Sequence, residues 1–302
     1  MKKKCLSGLS LLMILILGCQ KSESILEEKN QILIANSNPE FNVSVKNEML
    51  YFPTTSDYDL AIDYLGQKSA EELASWTNSI EFRSMKSQLS QNELEELGIY
   101  DDLLASIINL NSEISIGGNT LKLDALEEKV FVINNNDYSK SFSESTSKNL
   151  KVFSTDDNVL DILDGKEDEN TSSRRRYCSK RKLSWNIDFR SLSNKIHAKV
   201  VYQKAGFLNS LQSKIEEELG LDGTSSWKMF LKTNGSGNVW RNKKRTGAIG
   251  PHQSTIFNKA NKSFRPYYSS RRLRSYKFSI EFWAQSEDDG VLRKKVLTID
   301  CN

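Results

Sequence analysis

The apolar residues of this 302-residue chain change their spacing near residue 177, and this change constrains the fold more than any other feature. Before that point they recur every three or four residues, as on one face of a helix. After it they alternate with polar residues, as in a strand with one buried face. The sequence therefore predicts an α+β fold. It has a mainly helical N-terminal domain with a small hairpin at 43–133, and an all-β, sandwich-like C-terminal domain at 177–302.

The net charge divides at nearly the same place. Residues 19–173 contain 12 Lys and Arg against 29 Asp and Glu, whereas residues 174–302 contain 27 against 10. The first part therefore has a net charge of −17 and the second a net charge of +17. Such an asymmetry predicts two bodies of opposite charge. The overall composition is that of an ordinary globular protein.

Helix and turn signals are frequent in the acidic part. A Ser or Thr stands before each of three apolar helical runs, twice with Glu three residues later, which is the capping-box spacing. A Gly-Gly pair between two alternating runs predicts a β-hairpin, and residues 43–52 predict one short strand. The signals are Thr55 or Ser56 with Gly66 as the stop, Ser69 with Glu72, Ser90 with Glu93, and Gly117 with Gly118.

The basic part contains several runs of strict alternation, each with one apolar face, which favours a β-sandwich or an open barrel. Residues 276–284 form the clearest of these runs. Residues 208–219 fit either a helix or a distorted pair of strands. Residues 134–176 are polar and rich in Ser, and are therefore predicted to be a linker.

The N-terminus has the pattern of an export signal. Three lysines precede the apolar run 5–17, whose 13 residues are too few for the roughly 20 that cross a bilayer as a helix. The sequence Ile-Leu-Gly-Cys that ends at Cys19 resembles the lipobox of bacterial lipoproteins. That resemblance implies a signal peptide at 1–18, a lipidated Cys19 and a flexible tether at 19–42. The alternative is an ordinary secretory signal in which Cys19 is incidental.

The residues after Cys19 bear on the location. Lys21 followed by Glu23 resembles the surface-export signal of Bacteroidota lipoproteins. The order of segments also resembles a group of Bacteroidota lipoproteins of unknown function, through the lipobox, the phrase AEELASW at 70–76 and the phrase NSEISIGGN at 111–119. The resemblance implies a lipid-anchored outer-membrane protein exposed at the cell surface, with its periplasmic face as the alternative. It implies no activity.

Two cysteines remain once the signal and the lipid site are set aside. In an exported protein, Cys178 and Cys301 predict one disulfide that closes a loop of about 120 residues. Such a bridge is worth about 4 to 5 kcal/mol in the chain-entropy model. Two free thiols are the alternative.

Motifs for catalysis are missing from the sequence. It has no HExxH zinc motif, no Gly-x-Ser-x-Gly elbow and no phosphate-binding loop. His197 and His252 are the only histidines. The sequence therefore predicts no enzyme, no catalytic residue, no metal and no cofactor, and an exported hydrolase is the less favoured alternative.

The strongest positive feature is the segment 241–274, which contains ten Lys and Arg, no Asp or Glu, and interspersed aromatic residues. Guanidinium groups suit anionic ligands and aromatic rings suit sugars. As a long irregular loop, the segment predicts contact with an anionic glycan or lipopolysaccharide, but not with nucleic acid. Alternatively, the acidic half offsets its charge. The candidate ligand-binding residues are Arg241, Lys243, Lys244, Arg245, Arg265, Tyr267, Tyr268, Arg271, Arg272 and Arg274.

These features together predict a surface lipoprotein that acts as a binding or adhesion module for an anionic glycan, lipopolysaccharide or a partner protein. The alternative from another class is a structural subunit of an envelope complex.

Overall fold

The computed structural model describes residues 41–136, 149–166, 182–188, 195–218, 227–239, 249–257, 261–286 and 290–301. All of them belong to one unit, which spans residues 32–302. The predicted signal peptide, the lipidation site Cys19 and Cys178 lie outside the described residues. Within the described part, no helix is long and apolar enough to cross a membrane.

The acidic part of the chain builds a six-stranded sheet in which the strands follow their sequence order. All neighbours are antiparallel except the second and third strands, which run parallel because five helices lie between them in the chain. The prediction of a mainly helical unit is therefore not confirmed, and this region is a mixture of sheet and helix. The strands are β1 (Ser44–Lys46), β2 (Met49–Phe52), β3 (Glu113–Ile116), β4 (Asn119–Asp124), β5 (Lys129–Asn134) and β6 (Lys151–Ser154).

Short helices accompany this sheet, and local sequence sets where they begin. Both predicted capping boxes form, at Ser69 with Glu72 and at Ser90 with Glu93. Thr54, one residue before the predicted cap, accepts a hydrogen bond from the backbone N–H of Asp57. The helices are α1 (Thr55–Leu65), α2 (Ala70–Ser79), α3 (Met85–Gln88), α4 (Gln91–Glu96), α5 (Asp102–Ile107) and α6 (Val159–Leu163).

The predicted hairpin at the Gly-Gly pair is present. Gly117 and Gly118 have φ of 57° and 80° and join β3 to β4 as a two-residue turn, a conformation that glycine adopts without strain. The segment 134–176, predicted as a linker, contains β6 and α6. Val159 and Leu160 of that helix are buried in the core, because their side chains are apolar although the segment around them is mostly polar.

The basic part forms two four-stranded antiparallel sheets, ordered β11-β10-β13-β14 and β12-β9-β8-β7. The ambiguous stretch 208–219 contains a single long strand, β9. The strands are β7 (Lys182–Asp188), β8 (Lys195–Lys204), β9 (Asn209–Glu218), β10 (Trp227–Val239), β11 (Ile249–Phe257), β12 (Asn261–Ser269), β13 (Leu273–Ser286) and β14 (Leu292–Cys301).

Two apolar cores hold these layers together. One lies between the two four-stranded sheets, where Ile196 and Val200 of β8 share a cluster with Phe278 and Ile280 of β13. This arrangement is consistent with the predicted β-sandwich. The other core lies under the six-stranded sheet.

The second core also includes residues of the basic half. Phe207 and Leu208, from the turn between β8 and β9, are fully buried in it. The hydroxyl of Tyr58 on α1 donates a hydrogen bond of 3.1 Å to the carbonyl oxygen of Phe207. The acidic and basic parts therefore share an apolar core as well as opposite charges.

Candidate functional site

A polar cleft of about 440 Å³ opens beside the hairpin that joins β1 to β2. Asn47 and Glu48 form its two-residue turn, with φ of 50° and 60°, because Lys46 pairs directly with Met49. Both torsions are positive, as in the turns whose twist matches paired strands, and Asn tolerates this conformation well. The cleft is lined by Lys46, Asn47, Met49, Tyr51, Ser115, Thr120, Asn135 and Asn136.

Hydrogen bonds fix the floor of the cleft. Asn135, just beyond the end of β5, accepts a bond of 2.8 Å from the hydroxyl of Thr120 and donates one of 2.9 Å to the hydroxyl of Ser115. Ser115 and Thr120 are 3% and 1% exposed. Three strands of the sheet therefore hold one connected polar network, and such a network is rigid when its members are paired.

The wall of the cleft carries a charged group, the ammonium of Lys46. The Nζ of Lys46 lies over the ring of Tyr51, 3.7 Å from the ring centroid. A cation in this position is attracted by the ring electrons, which holds the flexible lysine side chain in place. Tyr51 is half-buried, so that part of it remains accessible to a ligand.

The described residues of the lining thus provide hydroxyl and amide groups, one ammonium group and apolar surface, and none of them carries a carboxylate. Such groups bind and orient a polar ligand, but they do not include a nucleophile beside a general base. In the part of the chain that the structure describes, no three His, Cys, Asp or Glu side chains are grouped to hold a metal ion. These residues offer a ligand hydrogen-bonding groups, one positive charge and apolar surface.

The predicted ligand-binding arginines that the structure describes do not line the cleft, and Arg265 on β12 is the clearest case. Its Nε and Nη2 donate to the carboxylate of Asp101 at 2.8–3.1 Å, and its Nη1 donates to the carbonyl oxygen of Gly66 at 2.9 Å. The Arg265 side chain is 5% exposed and that of Asp101 is not exposed at all. Arg265 is therefore an internal partner of the acidic half.

The two arginines after β12 also contact the acidic half. Nε and Nη2 of Arg271 bind the two carboxylate oxygens of Asp161 at 3.0 and 3.2 Å. The backbone N–H of Arg272, a residue 4% exposed, donates to the side-chain oxygen of Asn158 at 3.1 Å. The described arginines therefore support the alternative interpretation, in which the acidic half offsets the charge of the basic segment.

The other predicted residues are placed as follows. Tyr267 is buried, and the ring of Tyr268 lies so close to Gly66 that a Cβ there would come within 2.2 Å of it. Arg274 lies in β13. Arg241, Lys243, Lys244 and Arg245 lie outside the described residues. The expectation of a long irregular loop at 241–274 is wrong for 249–257 and 261–269, which form β11 and β12, and the backbone pairing explains their extended conformation.

Further ion pairs join the two halves. Glu95 on α4 contacts Lys182 and Lys199 of the basic half. Asp102 on α5 lies 2.9 Å from Lys86, within the acidic half, and near Lys214 of the basic half. Burial alone would raise the pKa of both carboxyl groups. The neighbouring lysines outweigh this effect and lower each pKa to about 2. Lys204 and Asp156 form another pair, whose side chains are each 3% exposed.

Few local patterns in the sequence indicate the cleft. Residues 43–52 were predicted as one strand, because the Asn47-Glu48 turn lacks glycine, and residues 134–136 were assigned to the linker. The usable signal is Asn47, since Asn is among the residues that most often adopt positive φ in tight turns. No local pattern brings Lys46, Ser115 and Asn135 together, because their contact depends on the order of strands in the sheet.

Comparison with known proteins adds little. No protein-family model matches the chain, and no curated protein matches it. Among solved structures, the chain is similar to the crystal structure of a DUF4848 family protein from Bacteroides thetaiotaomicron. The identity is 13%, the TM-score is 0.22, and the match covers 86% of this chain and 100% of the other. Similarity at this level transfers neither a fold nor a site.

Proposed function

We propose that this chain is an outer-membrane lipoprotein, anchored through Cys19 and exposed at the cell surface, that binds a glycan. The cleft beside the β1–β2 hairpin carries the binding part of the proposal, because its hydroxyl, amide and ammonium groups surround a space of ligand size without a catalytic set. The lipobox sequence supports the anchor. A lipid-anchored binding protein accounts for both the cleft and the lipobox.

The anchor is tested at Cys19. The variant Cys19→Ala should move the protein from the membrane fraction to the soluble part of the envelope, because it removes the acylation site, and two or three acyl chains are what anchor a lipoprotein stably. Fractionation with metabolic palmitate labelling measures this. Palmitate that persists in the variant would contradict lipidation at Cys19.

Protease treatment of intact cells tests the orientation. Digestion of the wild-type protein without lysis supports exposure at the surface. Protection until the outer membrane is opened would place it on the periplasmic face, with the same anchor.

We also propose that Cys178 and Cys301 form a disulfide. Cys301 is buried at the end of β14, opposite Tyr276 of β13. Peptide mapping of the exported protein without reduction should find one linked peptide with both cysteines. Alkylation of both thiols before reduction would refute the disulfide. A bridged protein should lose about 2–5 kcal/mol of stability on reduction.

A further inference from the structure

We infer that the cleft binds a sugar that carries a carboxylate group, such as a uronic acid at the end of a glycan. The inference rests on the proposed function, because it names the ligand class of the same site. Three features of the cleft carry it: the charge of Lys46, the hydrogen-bonding groups around it, and its size.

The charge comes first. Lys46 is the one charged residue among the described residues that line the cleft. None of the carboxylates in the described ranges lies within ion-pair distance of it, and its visible partner is the ring of Tyr51. A ligand that covers this ammonium group displaces the water that solvates it. Only a negatively charged group on the ligand fully replaces the stabilisation of the charge by that water. The lining therefore favours an anion over a neutral ligand.

The number of cations limits the number of negative charges. Polyanions such as heparin, or the phosphates of lipopolysaccharide, are bound by several Lys and Arg side chains together. The cleft offers one, while Arg265 and Arg271 are engaged by Asp101 and Asp161. One ammonium group therefore matches one carboxylate.

The neutral groups around Lys46 match hydroxyl groups. A sugar hydroxyl both donates and accepts, and so does an amide side chain, which pairs with two neighbouring hydroxyls. Asn47 and Asn136 present exposed amides at the rim, and Asn135 is held on the floor by Ser115 and Thr120. A fatty acid or an apolar peptide would leave these groups without partners.

The size of the cleft supports a short ligand. Its volume of about 440 Å³ lies near the lower end of small-molecule sites, which is roughly 300–1,000 Å³. Such a space takes a terminal sugar and its neighbour, but not an extended chain.

The experiment measures binding of the full-length, detergent-solubilised protein to three probes by calorimetry. They are a disaccharide that ends in one galacturonic acid, the methyl ester of that disaccharide, and heparin. We expect the acid to bind at least 10-fold more tightly than the ester, which has nearly the same shape without the charge, because hydrogen bonds between charged groups are stronger than those to a neutral group. Preferential binding of the ester, or equal binding of ester and acid, would overturn the inference, and this comparison requires no variant.

A matched pair of variants locates the site. Lys46→Met keeps the length of the side chain over Tyr51 and should weaken binding of the acid at least 10-fold. The control is Lys68→Met, because Lys68 lies over the ring of Tyr64 at 4.6 Å in the same way but does not line the cleft. This control should bind as the wild type does, and both variants should keep the wild-type melting temperature.

The outcomes separate the inference from the proposed function. Tighter binding of heparin than of the acidic disaccharide, lost in neither variant, would overturn the inference but retain a glycan-binding protein with a site elsewhere. If all three probes fail to bind while the protein retains purified outer-membrane glycan, the uronic acid assignment is wrong and the function stands. Failure to bind any of these materials would overturn both.

Discussion

Replacing Arg265 by Met should lower the free energy of unfolding by about 3–5 kcal/mol. The variant leaves the carboxylate of Asp101 buried without its counter-ion, and breaking a buried ion pair on one side typically has an effect of this size. Asp101 is the N-cap of α5 and also receives the hydroxyl of Ser210, so it stays in place when Arg265 is removed. The carbonyl oxygen of Gly66 loses its bond to Nη1 as well.

Urea unfolding at neutral pH measures the effect, with Lys294→Met as the control. Lys294 lies 2.9 Å from Glu281, but the two side chains are 54% and 30% exposed. Exposed pairs contribute about 0–1 kcal/mol, so the control should lose no more than that. Equal losses in the two variants would show that Asp101 finds water or another partner, and that Arg265 does not join the two halves.

The contacts of these arginines with the acidic half also change the expected stability of variants in the basic segment. If the basic segment is an exposed loop, replacing Arg271, Arg272 and Arg274 by Gln should cause little loss of stability. The structure instead pairs Arg271 with Asp161 and buries Arg272. The opposite net charges of the two halves were visible in the sequence, and they made internal pairing one of two open readings. Which arginine meets which aspartate was not visible, because the partners are more than 100 residues apart.

Local signals in the sequence located many of the elements. Ser69 and Ser90 begin helices because their side chains satisfy backbone N–H groups within one turn, and Gly117-Gly118 joins two strands because both torsions are positive. These interactions depend on residues close in the chain. Alternation likewise predicted the long strands of the basic half, such as β13.

Local signals do not predict the six-stranded sheet. β1 has three residues and β2 and β6 have four, too few for a clear alternation of apolar and polar positions. The parallel pairing of β2 with β3 joins Tyr51 to Ser115 across five helices. That pairing assembles the cleft as well, so the site could not be predicted before the sheet was known.

Acid should remove much of the stability that the two halves share. The pKa of Asp102 is lowered from 3.8 to about 2 in the folded protein. Burial opposes this shift, and the positive charges of Lys214, Lys86 and Arg265 outweigh it. A carboxyl group with a lowered folded pKa stabilises the fold fully above its unfolded pKa, and the contribution is lost as the pH falls through the folded value. At about 1.4 kcal/mol per pKa unit, Asp102 contributes about 2 kcal/mol.

Urea unfolding of the wild type and of Asp102→Asn at pH 7, 4 and 2 isolates this contribution. The variant has no carboxyl group at this position, so its stability should be lower by about 2 kcal/mol or more at pH 7, and the difference should shrink by about 2 kcal/mol between pH 4 and pH 2. Glu95, whose pKa is lowered to about 2 by Lys182 and Lys199 against the effect of burial, remains in both proteins. Its half-exposed position makes its contribution smaller, and it cancels in the difference. A difference that stays constant from pH 7 to pH 2 would mean that Asp102 stabilises the fold by its shape and its bond to Gln212, and that its charge does not contribute.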